Sequence, residues 1–140
     1  MEDLVLPKDY IYRDVEYLNN WDGDTIDFKI RKSFDLGFGS KVKGECEIKI
    51  RLMGVEAYDI KDRDEDKRSK ALEAKNMIRK VLLEAEKDPK KKVILATYKD
   101  RKGKYGRYLA WVYIGDMRDE NCLNEMLKEA GLTTGKYEED

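Results

Sequence analysis

Glu45-Cys46-Glu47-Ile48-Lys49-Ile50-Arg51-Leu52 alternates without a break: Cys46, Ile48, Ile50 and Leu52 fall on one face, Glu45, Glu47, Lys49 and Arg51 on the other. A period of two marks a half-buried strand, so Arg51 stands on the polar side of a sheet and not in its core. Upstream, Thr25-Ile26-Asp27-Phe28-Lys29-Ile30 repeats the pattern with Ile26, Phe28 and Ile30 inward. Tyr10 to Leu18, rich in Tyr, Ile and Val, reads as an earlier strand, with Asn19 to Gly23 as the turn after it. Between the two alternating runs, Ser33 to Lys41 has glycines that suit a hairpin tip. Its Phe38 suits either packing back on the sheet or touching a bound base.

Downstream the period changes. Ala71, Ala74, Ile78, Val81, Leu82 and Ala85 recur at three- and four-residue spacing, which predicts an amphipathic helix over Ser69 to Glu86, capped by Ser69 and ended before Pro89. Asp59 to Arg68, ahead of it, reads as a linker. Val93 to Tyr98 and Tyr108 to Ile114 are two further strands joined by the basic loop Lys99 to Gly106. Leu123, Met126, Leu127 and Ala130 form a second helical stripe that Gly131 terminates. Five strands, with helices after the third and fifth, predict a mainly β, α+β fold: a closed five-stranded barrel of the OB type with two helices. At 140 residues it is expected to be one domain, residues 1–140.

Composition removes several chemistries. With no histidine, triad hydrolases, Cys-His proteases and imidazole-based nucleases are excluded. Two cysteines support neither a cysteine-rich zinc site nor a disulfide framework. Cys46, on the apolar face of its strand, and Cys122, at the start of a helical stripe, are read as small core residues. Met1 to Tyr10 lacks the basic start and apolar run of a secretory signal, and no segment reaches membrane-spanning length. A reduced, cytoplasmic protein is expected, or a secreted one where a leader has been removed.

Charge is abundant but uneven. Charged residues make up 42% of the chain, yet the net charge is only −1, which by itself does not favour a general nucleic-acid binder. Lys87 to Arg107 departs from this balance, with nine basic residues against Asp88 and Asp100. Acids gather instead in Glu56 to Asp66 and in Glu138-Glu139-Asp140. A basic stripe beside an acidic pocket suits a cation-dependent enzyme acting on a polyanion. Lys90-Lys91-Lys92, next to Pro89, is simply a solvated run.

Three short stretches share a chemistry. Asp22-Gly23-Asp24-Thr25, Arg51-Leu52-Met53-Gly54-Val55-Glu56-Ala57-Tyr58-Asp59 and Lys104-Tyr105-Gly106-Arg107 together offer oxygen ligands for a hard cation, two guanidinium groups for a phosphate, and one more carboxylate to take a proton from water. Each alone has a plain explanation, Asp-Gly being a common hairpin turn. In order and spacing the three resemble the staphylococcal-nuclease-like (thermonuclease) family, whose pattern runs Asp-Gly-Asp-Thr, then Arg-Leu with an Asp or Asn and a Glu, then Lys-Tyr-Gly-Arg. The likeness extends from about Tyr10 to Tyr137 and takes in Leu123-Asn124-Glu125 and Gly131-Leu132.

That resemblance implies a calcium-dependent endonuclease cutting DNA and RNA as a monomer without a membrane. It assigns Asp24, Glu56 and the backbone carbonyl of Ala57 to Ca²⁺, and Arg51 and Arg107 to the phosphate. Asp59 takes the place of the general base, while Lys104, Tyr105 and Tyr137 serve as substrate contacts. The chain departs from the pattern at Glu56, where the family has Asp or Asn, at Tyr58, where it usually has Pro, and at Asp59, where it has Glu. These departures keep a second reading open, a module of the same fold that binds nucleic acid or a protein without cutting.

Overall fold

The computed structural model describes residues 9–99 and 108–134. In it six strands form one sheet in the order β1-β5-β6-β4-β3-β2. They are β1 (Asp9–Tyr12), β2 (Val15–Asn20), β3 (Thr25–Asp35), β4 (Lys41–Leu52), β5 (Val93–Lys99) and β6 (Tyr108–Ile114). All neighbours are antiparallel except β4 and β6, which run parallel. Helix α1 (Glu65–Lys87) follows β4, and α2 (Leu123–Glu129) follows β6 after one 3₁₀ turn at Asp119–Asn121. The fold class is the expected α+β, OB-like one.

Strand number and closure differ from expectation. The single strand expected at Tyr10 to Leu18 breaks at Arg13 and Asp14, so that β1 pairs with β5 and β2 with β3. These halves form the two edges of the sheet, and no ladder joins them among the described residues. The sheet is therefore not closed as a barrel by backbone pairing; two residues of chain connect its edges. At the break, the Arg31 N–H donates to the Asp14 carbonyl at 3.0 Å, and the Arg31 side chain is ion-paired with Asp14, Glu16 and Glu45.

The core follows the alternation. Ile26, Phe28 and Ile30 from β3 meet Ile48, Ile50 and Leu52 from β4, and α1 adds Ala74, Ile78, Leu82 and Ala85. Leu95, Val112, Leu123 and Leu127 complete it. Helix α1 begins four residues earlier than expected, with the Asp64 side chain, not Ser69, accepting the Asp66 N–H. Its first turn contains no apolar residue, so the hydrophobic period becomes visible only at Ala71. The last four residues of the expected linker, Glu65 to Arg68, are thus helical.

β3 and β4 run past the core as a two-stranded arm, paired from Thr25↔Arg51 to Asp35↔Lys41. Cys46 lies on this arm and is exposed, correcting its expected place in the core; Cys122 is buried as expected. Gly37 and Gly39 take positive φ at the tip. Phe38 there is 76% exposed, so it does not pack back on the sheet.

Candidate active site

β3 begins and β4 ends at the same end of the sheet, where Thr25 pairs with Arg51. The loop entering β3 is held by its own side chains: Asp22 Oδ1 accepts the N–H groups of Asp24 (3.0 Å) and Thr25 (2.9 Å), and the Trp21 N–H reaches the Thr25 carbonyl at 3.1 Å. Short Asp side chains favour such local turns. Gly23 has a different purpose from the one its Asp-Gly context suggests. Its φ is not positive; it is buried, and a Cβ there would lie 2.8 Å from the Ala57 Cβ and 2.7 Å from the Ala74 Cβ. The glycine lets the loop pass between α1 and the segment after β4.

That close passage brings Asp24 to Ala57. Asp24 Oδ2 accepts the Ala57 N–H at 3.2 Å and Oδ1 accepts the Thr25 hydroxyl at 3.1 Å, while the Asp24 carbonyl accepts the Leu52 N–H at 2.8 Å. Burial, followed by the neighbouring Asp22 carboxyl, pushes the Asp24 carboxyl up to about 7. The Ala57 N–H and the Arg51 charge pull the other way without prevailing. A carboxyl shifted this far marks a place where negative charge is crowded together and water partly excluded.

The segment after β4 is fixed from behind. Asn124, fully buried on α2, donates to the carbonyls of Met53 (2.8 Å) and Ala110 (3.0 Å) and accepts from the Val112 N–H (3.0 Å). The Glu56 carbonyl accepts the Thr134 N–H at 2.9 Å, and Ala57 bridges to Thr133. Asn20, also buried, receives the Tyr17 hydroxyl and donates to the Lys75 carbonyl at 2.9 Å, tying the opposite loop to α1.

Asp24, Arg51 and the Glu56–Ala57 backbone are therefore gathered at this end of the sheet. Ala57 meets Asp24 through its N–H; Glu56 is half-buried beside it. Asp59 lies further along, exposed, with Oδ1 accepting the Lys61 N–H at 2.8 Å. Tyr58 is half-buried with the Lys70 ammonium 5.4 Å from its ring centre. Lys104, Tyr105, Arg107 and Tyr137 lie outside the described residues. Among the described residues no three acidic or cysteine side chains converge as a metal-binding group. A cavity of about 610 Å³, lined in part by Arg13, Arg31, Glu86 and Lys92, shares no residue with this site.

Asp22 and Asn124 enter the sequence reading only within Asp22-Gly23-Asp24-Thr25 and Leu123-Asn124-Glu125, with no role of their own, and Asn20 gives no local signal. The model of the staphylococcal nuclease homologue family matches residues 49–139, a stretch that contains Arg51, Glu56, Asp59, Lys104 and Arg107 but not Asp22 or Asp24. No curated protein matches the chain. The family match spans well over half of the sequence, and the chain belongs to the staphylococcal nuclease homologue family.

Proposed function

We propose that the protein is a calcium-dependent endonuclease that hydrolyses phosphodiester bonds of DNA and RNA. The observation that carries this reading is the Asp22–Asp24 carboxyl pair set next to Arg51, with Asp24 pushed up to about 7. A buried carboxyl with a second carboxyl against it is a natural seat for a cation, whose charge would offset both the burial and the repulsion. The donor set is all oxygen, as a hard cation requires. A divalent ion bound there would neutralise negative charge on a phosphate oxygen.

The remaining roles belong to the chain. Asp24 would hold the ion, with Glu56 and the Ala57 carbonyl as further ligands. Arg51, on the polar face of β4, offers parallel N–H donors to a phosphate lying over this end of the sheet; Arg107 is assigned the same task. Such preorganised donors act where charge grows in the transition state. Asp59, exposed, would take a proton from water, while Lys104, Tyr105 and Tyr137 steady the flanking nucleotides. The reading takes residues 1–140 as one domain acting as a monomer.

The second reading, a binding module without cleavage, is favoured by the exposed position of Asp59 and by the absence of a third converging carboxylate among the described residues. Incubating single-stranded DNA with the protein in calcium and then in EDTA separates the two. Cleavage that stops on chelation is expected. Undiminished cutting in EDTA overturns the metal assignment, and binding without cutting in either buffer leaves the module.

A further inference from the structure

Trp21 precedes the Asp22-Gly23-Asp24 loop and is 53% exposed, although burying an indole is strongly favourable. The ring is nevertheless not loose. Its Nε1–H donates to Asp27 Oδ2 at 2.7 Å, and the Lys49 ammonium stands 5.2 Å from the ring centre. Asp27 and Lys49 are directly opposed on β3 and β4, so both clamps rise from the polar face of the sheet, the face that also carries Arg51. The indole is thus pinned through its edge, with a cation against the ring and much of its surface left to solvent. Trp111 differs: it is half-buried, with Lys128 near its ring and close to Gly54.

We propose that Trp21 is a stacking platform for one nucleobase of a single-stranded nucleic acid whose adjoining phosphate lies at Arg51. An aromatic ring oriented in advance loses little freedom on binding. Stacking tolerates any base, because every base has a π-face, and adjacent cations attract the backbone. Arg51 is two residues beyond Lys49 on the same strand face, about 7 Å along it, which is within one nucleotide's reach of the ring. Specificity at this position is for an unpaired base over a paired one, since a base in a duplex has both faces covered. The inference rests on the nucleic-acid reading above and adds a base-binding residue that its site does not include.

The test measures binding, not turnover. A labelled oligothymidylate of about eight nucleotides, within the site size usual for such folds, is titrated with the wild type, Trp21→Ala and Trp21→Phe, in EDTA and in calcium at short times. Trp21→Ala is expected to weaken binding roughly tenfold while Trp21→Phe keeps most of it. The oligonucleotide is also expected to quench intrinsic fluorescence in the wild type, and the quench to vanish in Trp21→Phe. An abasic strand of equal length should bind wild type and Trp21→Ala alike. Circular dichroism melts check that the variants fold, as substitutions of exposed side chains usually allow. Unchanged affinity in Trp21→Ala overturns the platform and leaves the nucleic-acid reading standing. Failure of the wild type to bind any strand in either buffer overturns both.

Discussion

Gly23 lies between two Cβ atoms whose positions are set by backbone, those of Ala57 and Ala74. Neither is the tip of a flexible side chain, so an added methyl must displace α1 or the loop. Gly23→Ala is expected to cost about 1–3 kcal/mol, the range for overpacking, read from the urea midpoint. Because Ala57 also supplies the N–H that holds Asp24, activity should fall more than stability predicts. Combining it with Ala74→Gly should recover part of the loss, as neighbours sharing one space are non-additive. Asn124 acts at a distance: truncating it to Ala strips a partner from the Met53 carbonyl and from the Val112 N–H in a fully buried place. A loss of about 3 kcal/mol is expected, visible in thermal melts, with no direct change at any group facing substrate.

At the scale of elements, the β3–β4 arm extends beyond the core. The tip between Asp35 and Lys41 is exposed and held by local bonds, Leu36 N–H to the Ser40 carbonyl and Gly37 N–H to Asp35 Oδ1. Replacing residues 36–40 by Asn-Gly, a turn matched to strand twist, should leave the urea midpoint within about 0.5 kcal/mol of wild type. The arm also shows where a sequence stops being legible. Alternation placed Thr25 to Ile30 within β3 and Glu45 to Leu52 within β4, and Ile26, Phe28, Ile30, Ile48, Ile50 and Leu52 lie where it put them. It could not show how far the core extends along a strand, so Cys46 continues the pattern into solvent. It missed the bend at Arg13–Asp14 because Tyr10 to Leu18 remains rich in strand-forming residues, and partner exchange is a long-range event. Asp24 and Arg51 were readable as chemistry, but the squeeze at Gly23 depends on Ala57 and Ala74, far away in sequence, and leaves no local trace.

For the molecule as a whole, charge and cation binding give the remaining predictions. Net charge is −1 while Lys87 to Arg107 is strongly basic, so affinity for a polyanion should fall steeply as salt rises. Neutralising Lys99, Arg101 and Lys102 together should flatten that slope, and an unchanged slope would move the binding surface elsewhere. Asp24 links the site to global stability. Its carboxyl is raised from 3.8 to about 7 in the folded chain, so the native state keeps a proton there that the unfolded state releases. Where the native state binds more protons, stability falls as pH rises. Cation-free protein should therefore lose stability between about pH 4 and pH 7 and level off above, with Asp24→Asn removing this part of the slope in thermal melts. A cation competes with that proton, so calcium should raise the melting temperature more at pH 8 than at pH 5, and only where Asp24 is intact. Equal stabilisation by calcium at both pH values, or in Asp24→Asn, would place the ion at another site.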